Sequence, residues 1–194
     1  MAQTKTVLLC GVGGQGTILA ADLLARVALA AGRDVKVSEI HGMAQRGGAV
    51  TTVVRVGDEV HSMVSDLGCA DIVMAFETTE ALRNLPQLAE GGSLIVNDET
   101  IKPLPVLTGR SSMPRDAKKR LQAAEGRFIE ASRIARQAGN AKCANVALLG
   151  ALSATLDIPE AIWTEVIAAR VPAKTVEANL AAFRAGRAAM GEGE

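Results

Sequence analysis

The sequence predicts a three-layer α/β/α sandwich on a mainly parallel sheet, with a helical C-terminal third. Two observations carry that prediction. Short runs rich in Val, Ile and Leu alternate with longer helix-forming runs, the pattern of strands joined by crossover helices. A glycine cluster, "CGVGGQGT", separates the first apolar run from the first helical run, where a tight strand-to-helix turn belongs. The 194 residues suit one domain, read over 1–194, with no repeat and no low-complexity linker.

Taken in order, residues 5–10, "KTVLLC", read as a buried strand. "TILAADLLARVALAAG" follows as a helix, apolar on most faces and closed by Gly32 as C-cap. "VKVSEI" is a second strand and "AVTTVVRV", β-branched and alternating, a third. Gly57-Asp58 is a turn signal, after which "EVHSMV" reads as a short return strand. "DIVMAF" is another buried strand, and a helix is expected from Glu77 to about Leu88. Gly91-Gly92 is expected to break the chain before strand "SLIVN". "DETIKPLPVLTG", with Pro103 and Pro105, is expected to exclude helix. A helix at 115–125, a strand at "RFIEA" and a buried helix at "CANVALLGALSATL" complete the middle of the chain. Pro159 opens another helix. The last begins near Ala173 and aligns Val176, Leu180 and Phe183 on one face.

Composition narrows the function classes. Aromatics are 2% of the chain, so the core must be built from aliphatic side chains in close contact. Net charge is zero, which gives no electrostatic footprint for nucleic acid or an anionic membrane. Arg115, Lys118, Lys119 and Arg120 stand among Asp116 and Glu125 and read as a solvated helix face. Cys10, Cys69 and Cys143 are scattered, so no zinc or iron–sulfur ligand set is visible and no metal residues are expected. Unpaired cysteines, no apolar run near ~18 residues and no signal peptide predict a cytoplasmic protein.

The glycine cluster contains G-x-G-x-x-G at Gly11, Gly13 and Gly16, between a strand and a helix. Glycine permits a tight turn and close backbone approach, and the helix start offers free N–H groups to an anion. Gly14 and Gln15 add bare backbone and an amide. This Rossmann-like feature leaves three readings open: a nicotinamide or flavin site, another phosphate-bearing ligand, or a turn with no ligand. Glu39 stands roughly where a ribose-binding acid belongs, about 20 residues on. Against a dinucleotide, the second strand runs through a loop straight into the third with no crossover helix. Those two strands are either antiparallel neighbours or diverge.

That loop, "IHGMAQRGGAV", concentrates polar groups beside a pivot. Gln45 and Arg46 supply an amide and a guanidinium that can fork onto a carboxylate or phosphate. Gly47 and Gly48 permit backbone angles that other residues avoid. His41 is the stronger of the two histidine candidates, whereas His61, on the expected return strand, is the weaker. Glu77 suits the first turn of its helix as a cap, but it follows a strand end where α/β ligand sites lie. Asn97 ends another strand in a similar place.

Together, "GVGGQGTILAADLLARVA", "EIHGMAQRGGAV", "DIVMAFETTEALR", "GGSLIVND", "GNAKCANVALLGAL" and "EANLAAFRAGR" resemble the gamma-type domain of 2-oxoacid:ferredoxin oxidoreductases, nearest to the indolepyruvate-oxidising members. The likeness runs from about residue 5 to about residue 188. It implies a small subunit with no catalytic residue of its own. Thiamine diphosphate, magnesium and iron–sulfur clusters would sit on a large companion chain, ferredoxin would be reached through the complex, and coenzyme A would be cosubstrate. It further implies that the "QRGG" corner lies at the subunit interface or on the coenzyme A side. The competing reading is a free-standing nucleotide- or flavin-binding oxidoreductase.

Overall fold

The computed structural model describes residues 4–42 and 47–191. Its strands are β1 (Lys5–Val12), β2 (Asp34–His41), β3 (Ala49–Gly57), β4 (Ala70–Ala75), β5 (Leu88–Asn97) and β6 (Arg127–Ile129). They form one sheet in the order β2-β3-β1-β4-β5-β6. β1, β4, β5 and β6 pair in parallel, and β3 is antiparallel to both of its neighbours, β1 and β2. The open question about the second and third strands is thereby answered: they are antiparallel partners. A short connection allows only that pairing, because parallel neighbours need a crossover. β3 thus inserts between β2 and β1, and the sheet is mixed but mostly parallel.

β1 is central and buried on both faces. Val7 and Leu9 meet a layer made by α1 (Thr17–Ala30), α5 (Ala131–Gln137), α6 (Ala144–Ser153), α7 (Glu160–Arg170) and α8 (Val176–Ala188). Leu8 and Cys10 meet a thinner layer containing α2 (Thr78–Asn84) and α4 (Ala117–Ala123). The period-2 alternation of a strand sends successive residues to opposite faces, and both faces here are apolar. The chain is therefore a three-layer α/β/α sandwich. In α6 every residue from Asn145 to Ser153 is buried. Its backbone lies against α8, since a Cβ on Gly150 would collide with the Phe183 carbonyl and one on Gly186 with the Ala147 carbonyl. The buried face of α8 is Asn179, Ala182, Phe183 and Gly186, while Val176 and Leu180 are only partly buried.

Several expected boundaries differ for identifiable reasons. Residues 59–64 are not a strand. The Asp34 carboxylate accepts from Val60 N–H, and Arg55 donates to the Ser62 and Val64 carbonyls, so side chains shape this segment into a loop. Gly91-Gly92 lies inside β5, at a register shift against β4, where a Cβ on Gly92 would stand 3.0 Å from the Asp71 carbonyl oxygen. α2 ends at Asn84 and a 3-10 turn, Leu85–Gln87, leads into β5. The proline-rich segment holds one helical turn, α3 (Leu104–Leu107), with proline in its first turn, where its missing N–H costs nothing.

Candidate functional site

The parallel strands β1, β4 and β5 end side by side, and the chain reverses over those ends. Gly11 and Val12 still belong to β1, so the glycine loop proper is short. Gln15 N–H donates to the Val12 carbonyl at 3.2 Å and closes the turn. Gly14 and Gly16 take φ of 102° and 80°, angles that side chains with a Cβ rarely adopt. α1 then starts at Thr17 with no side-chain cap, leaving backbone N–H groups free at its positive dipole end.

The two glycine corners meet. Gly13 N–H donates to the Gly48 carbonyl at 2.9 Å, and Gly47 N–H returns to the Gly13 carbonyl at 3.3 Å. Gly47, at φ 70°, uses the conformational freedom expected of it. Gln45 and Arg46 lie outside the described residues. His41 is exposed at the end of β2, with Nδ1 3.1 Å from the Gly42 carbonyl. Ile18 and Ile40, beside the two corners in the chain, are 62% and 71% exposed.

Side-chain amides hold this corner from beneath. Gln15 Oε1 accepts from Val12 N–H at 2.8 Å, and its Nε2 donates to the Phe76 carbonyl at 3.0 Å. Asn97 Nδ2 donates to the same carbonyl at 3.2 Å and to Glu99 Oε2 at 3.1 Å, while its Oδ1 accepts from Ala131 N–H. Asn145, in the first turn of α6, donates to the Gly16 carbonyl at 3.3 Å. A cleft of about 490 Å³ opens beside the loop, lined among others by Gly14, Gly16, Asn97, Glu99, Lys142 and Asn145. Asn145 had no signal in the sequence beyond its place at a helix start. Its partner is 129 residues away.

Glu77 is 1% exposed and caps α2. Its carboxylate accepts from the N–H groups of Glu80, Thr79 and Ile101, so the capping reading accounts for both oxygens. Glu80, one turn on, is 3% exposed, and its Oε2 has no hydrogen-bond partner among the described residues. Burial pushes its carboxyl pKa up, Arg83 at 3.3 Å opposes that, and Glu77 adds to it. Cys10 is fully buried, and burial, followed by Glu80 and Glu77, pushes its thiol well up. It therefore stays a protonated, packed thiol rather than a nucleophile.

Other candidates lie elsewhere. Glu39 is on β2, separated from β1 by β3, and so stands about 10 Å from the glycine strand rather than beside it. His61 and Glu59 form an exposed pair at 3.8 Å. In the basic cluster, Lys118 pairs with Asp98 at 2.7 Å and sits over the Phe128 ring, while Arg115, Lys119 and Arg120 face solvent. Among the described residues no group of three His, Cys, Asp or Glu side chains is placed to hold a metal ion, and no helix is long and apolar enough to cross a membrane.

Residues 6–189 match the family described as pyruvate ferredoxin/flavodoxin oxidoreductase. Indolepyruvate oxidoreductase subunit IorB of Thermococcus kodakarensis is 41% identical over 187 residues, 93% of each chain. Pyruvate oxidoreductase subunit PORC of Thermotoga maritima has a solved structure that superposes with a TM-score of 0.70 at 26% identity, covering 95% of both chains. The gamma subunit of a keto/oxoacid ferredoxin oxidoreductase from Geobacter sulfurreducens shares the fold at a TM-score of 0.72 and 24% identity, covering 97% of this chain and 99% of its own.

Proposed function

The chain belongs to the pyruvate ferredoxin/flavodoxin oxidoreductase family, and we propose that it is the small, gamma-type subunit of a 2-oxoacid:ferredoxin oxidoreductase acting on indolepyruvate or a related aryl pyruvate. The observation that carries this reading is the 41% identity to an indolepyruvate oxidoreductase subunit over nearly the full length of both chains. The complex would decarboxylate the 2-oxoacid oxidatively, transfer the acyl group to the coenzyme A thiol and pass electrons to ferredoxin. Unpaired cysteines and ferredoxin as acceptor support a cytoplasmic location.

Thiamine diphosphate, magnesium and iron–sulfur clusters belong, in this reading, to a large partner subunit. The donor chemistry of the small chain supports that division. Cys10 and Cys143 are buried in different elements and Cys69 is exposed, so the three thiols do not form a cluster set. The small chain's own contribution is a docking and positioning surface. Gly11, Gly13, Gly14, Gly16, Gly47 and Gly48 shape the paired corner, His41 stands beside it, and the amide of Gln45 and the guanidinium of Arg46 are the groups that would bind the partner or coenzyme A. Exposed Ile18 and Ile40 beside the corner give it the apolar content of a contact surface. A free-standing nucleotide- or flavin-binding oxidoreductase is not favoured, because β3 separates Glu39 from the glycine loop.

The test is co-expression with the large subunit, pull-down, and a ferredoxin or dye reduction assay. Activity is expected from the complex with indolepyruvate and coenzyme A, and none from the small chain alone. Ferredoxin reduction by the pure small chain would overturn the subunit assignment.

A further inference from the structure

Two amides converge on one backbone carbonyl beneath the glycine corner, and the chemistry of their partners fixes which way each amide points. Gln15 accepts from an N–H and donates to a carbonyl. Asn97 donates to a carbonyl and a carboxylate and accepts from an N–H. Reversing either amide would set oxygen against oxygen. The carbonyl they share, that of Phe76, directly follows β4, which lies between β1, whose loop carries Gln15, and β5, which ends at Asn97; the Phe76 N–H is tied to the Cys10 carbonyl at 2.8 Å. Asn97 is 3% exposed and Phe76 2%.

We infer that Gln15 and Asn97 are a positioning pair: through the Phe76 carbonyl they set the conformation of the glycine corner that meets the partner subunit or coenzyme A. The inference rests on the function proposed above. Asn97 has both N–H groups and its oxygen engaged within the chain, so it works through the corner rather than as a ligand contact. The bonded path is continuous. It runs from the Gly47-Gly48 corner through Gly13, along the turn to Val12 and Gln15, then through the Phe76 carbonyl to Asn97 and the first residue of α5. A carbonyl has two lone pairs, and here both are taken. Losing one donor leaves the other in place. Losing both leaves a buried acceptor unpaired, and that is the expensive state.

The experiment uses the co-expressed complex with Gln15→Glu, Asn97→Asp and the double variant. Each single change keeps the acceptor oxygen, removes the donor to Phe76 and sets a carboxylate oxygen against that carbonyl; Asn97→Asp also loses the donor to Glu99 Oε2. Three quantities are read: the subunit dissociation constant, the apparent KM for coenzyme A against kcat, and hydrogen exchange at Gly13–Gly16. Each single variant is expected to raise the dissociation constant or KM by at least about fivefold, the size of one neutral hydrogen bond, and Asn97→Asp by more than Gln15→Glu, with kcat little changed. The double variant should exceed the product of the two, and exchange at the corner should quicken. A fall in melting temperature with all three readouts at wild-type values would overturn the inference, as would a double variant equal to the product of the singles. If an acid variant fails to fold, Gln15→Met and Asn97→Ala remove the same donors without adding charge and are judged by the same outcomes. A wild-type complex that does not assemble would sink the proposed function itself, and this inference with it. An active wild-type complex with unshifted variants would sink this inference alone.

Discussion

Replacing Gly16 with alanine should cost about 2–3 kcal/mol, and the source of that cost can be separated by a second change. Gly16 sits at φ 80°, and the left-handed region costs a non-glycine residue roughly 1–2 kcal/mol. A Cβ there would stand 2.6 Å from Asn145 Nδ2, closer than any real contact, so Asn145 must move. Its bond to the Gly16 carbonyl is then lost, at about 1 kcal/mol. For a chain of this length the sum lowers the melting temperature by roughly 4–12 °C. In an Asn145→Ala background the clash and the bond are already absent, and Gly16→Ala should cost only the backbone strain. The two changes should therefore be less than additive by about 1 kcal/mol. Urea unfolding followed by Trp163 fluorescence measures this directly, because the single tryptophan is fully buried and stacked on Phe183. Strict additivity would refute the contact as the reason Gly16 is glycine.

The other expectations concern distinct parts of the molecule. Gly186→Ala should destabilise by about 1–3 kcal/mol, since the added methyl collides with the Ala147 carbonyl; an unchanged melting temperature would mean that α6 and α8 separate freely. Glu80 holds its proton more tightly folded than unfolded, so its contribution is full below the ordinary carboxylate pKa and is lost as pH rises through the raised folded value. Glu80→Gln should therefore gain stability relative to wild type as pH rises through that window, and a difference independent of pH in urea titrations would contradict it. Native protein should expose one rapidly reactive thiol, Cys69, and three after denaturation, because Cys10 and Cys143 are buried with raised pKa values; a thiol-reagent count of three in native protein would be inconsistent with the fold. Arg46→Ala should weaken coenzyme A use or partner binding about tenfold, the loss of one charge-assisted bond, with partial rescue by lysine; if only the melting temperature falls, Arg46 is a structural ion-pair residue.

Periodicity made most of the layers legible. "TVLLC" and "CANVALLGAL" have no polar face, and a segment with no polar face must be buried on all sides. What periodicity lacks is direction. Nothing in "AVTTVVRV" states that β3 runs against β1; the short connection to β2 decides that. Local polar chemistry also overrode pattern, as where Arg55 and Asp34 hold 60–64 as a loop despite its alternation. At the site, the glycines were legible because their signal is a local backbone requirement. The amides were not, because what Gln15 and Asn145 do depends on partners 61 and 129 residues away. Gln15 was conspicuous for its place in a glycine loop, which suggests a ligand contact; nothing in the sequence signals that its amide is also bonded within the fold.

The helical C-terminal third reads in sequence as an addition to the sheet, but it bears on the glycine corner mechanically. α6 begins at the loop, where Asn145 holds the Gly16 carbonyl, and it runs away beneath α1 with every residue from 145 to 153 buried. Its far half cannot shift sideways, because Gly150 and Gly186 bring the backbones of α6 and α8 into direct contact. Arg187 on α8 adds a 2.8 Å bond to Ser153 Oγ, a hydroxyl that itself donates to the Gly150 carbonyl. A close-packed interior transmits such displacements instead of absorbing them. The position of Gly16 is therefore set from two directions: from the strand ends through Gln15 and Asn97, and from the helical layer through Asn145. If this corner is the docking surface proposed above, it meets the partner already shaped, and less binding free energy is lost to ordering it on assembly.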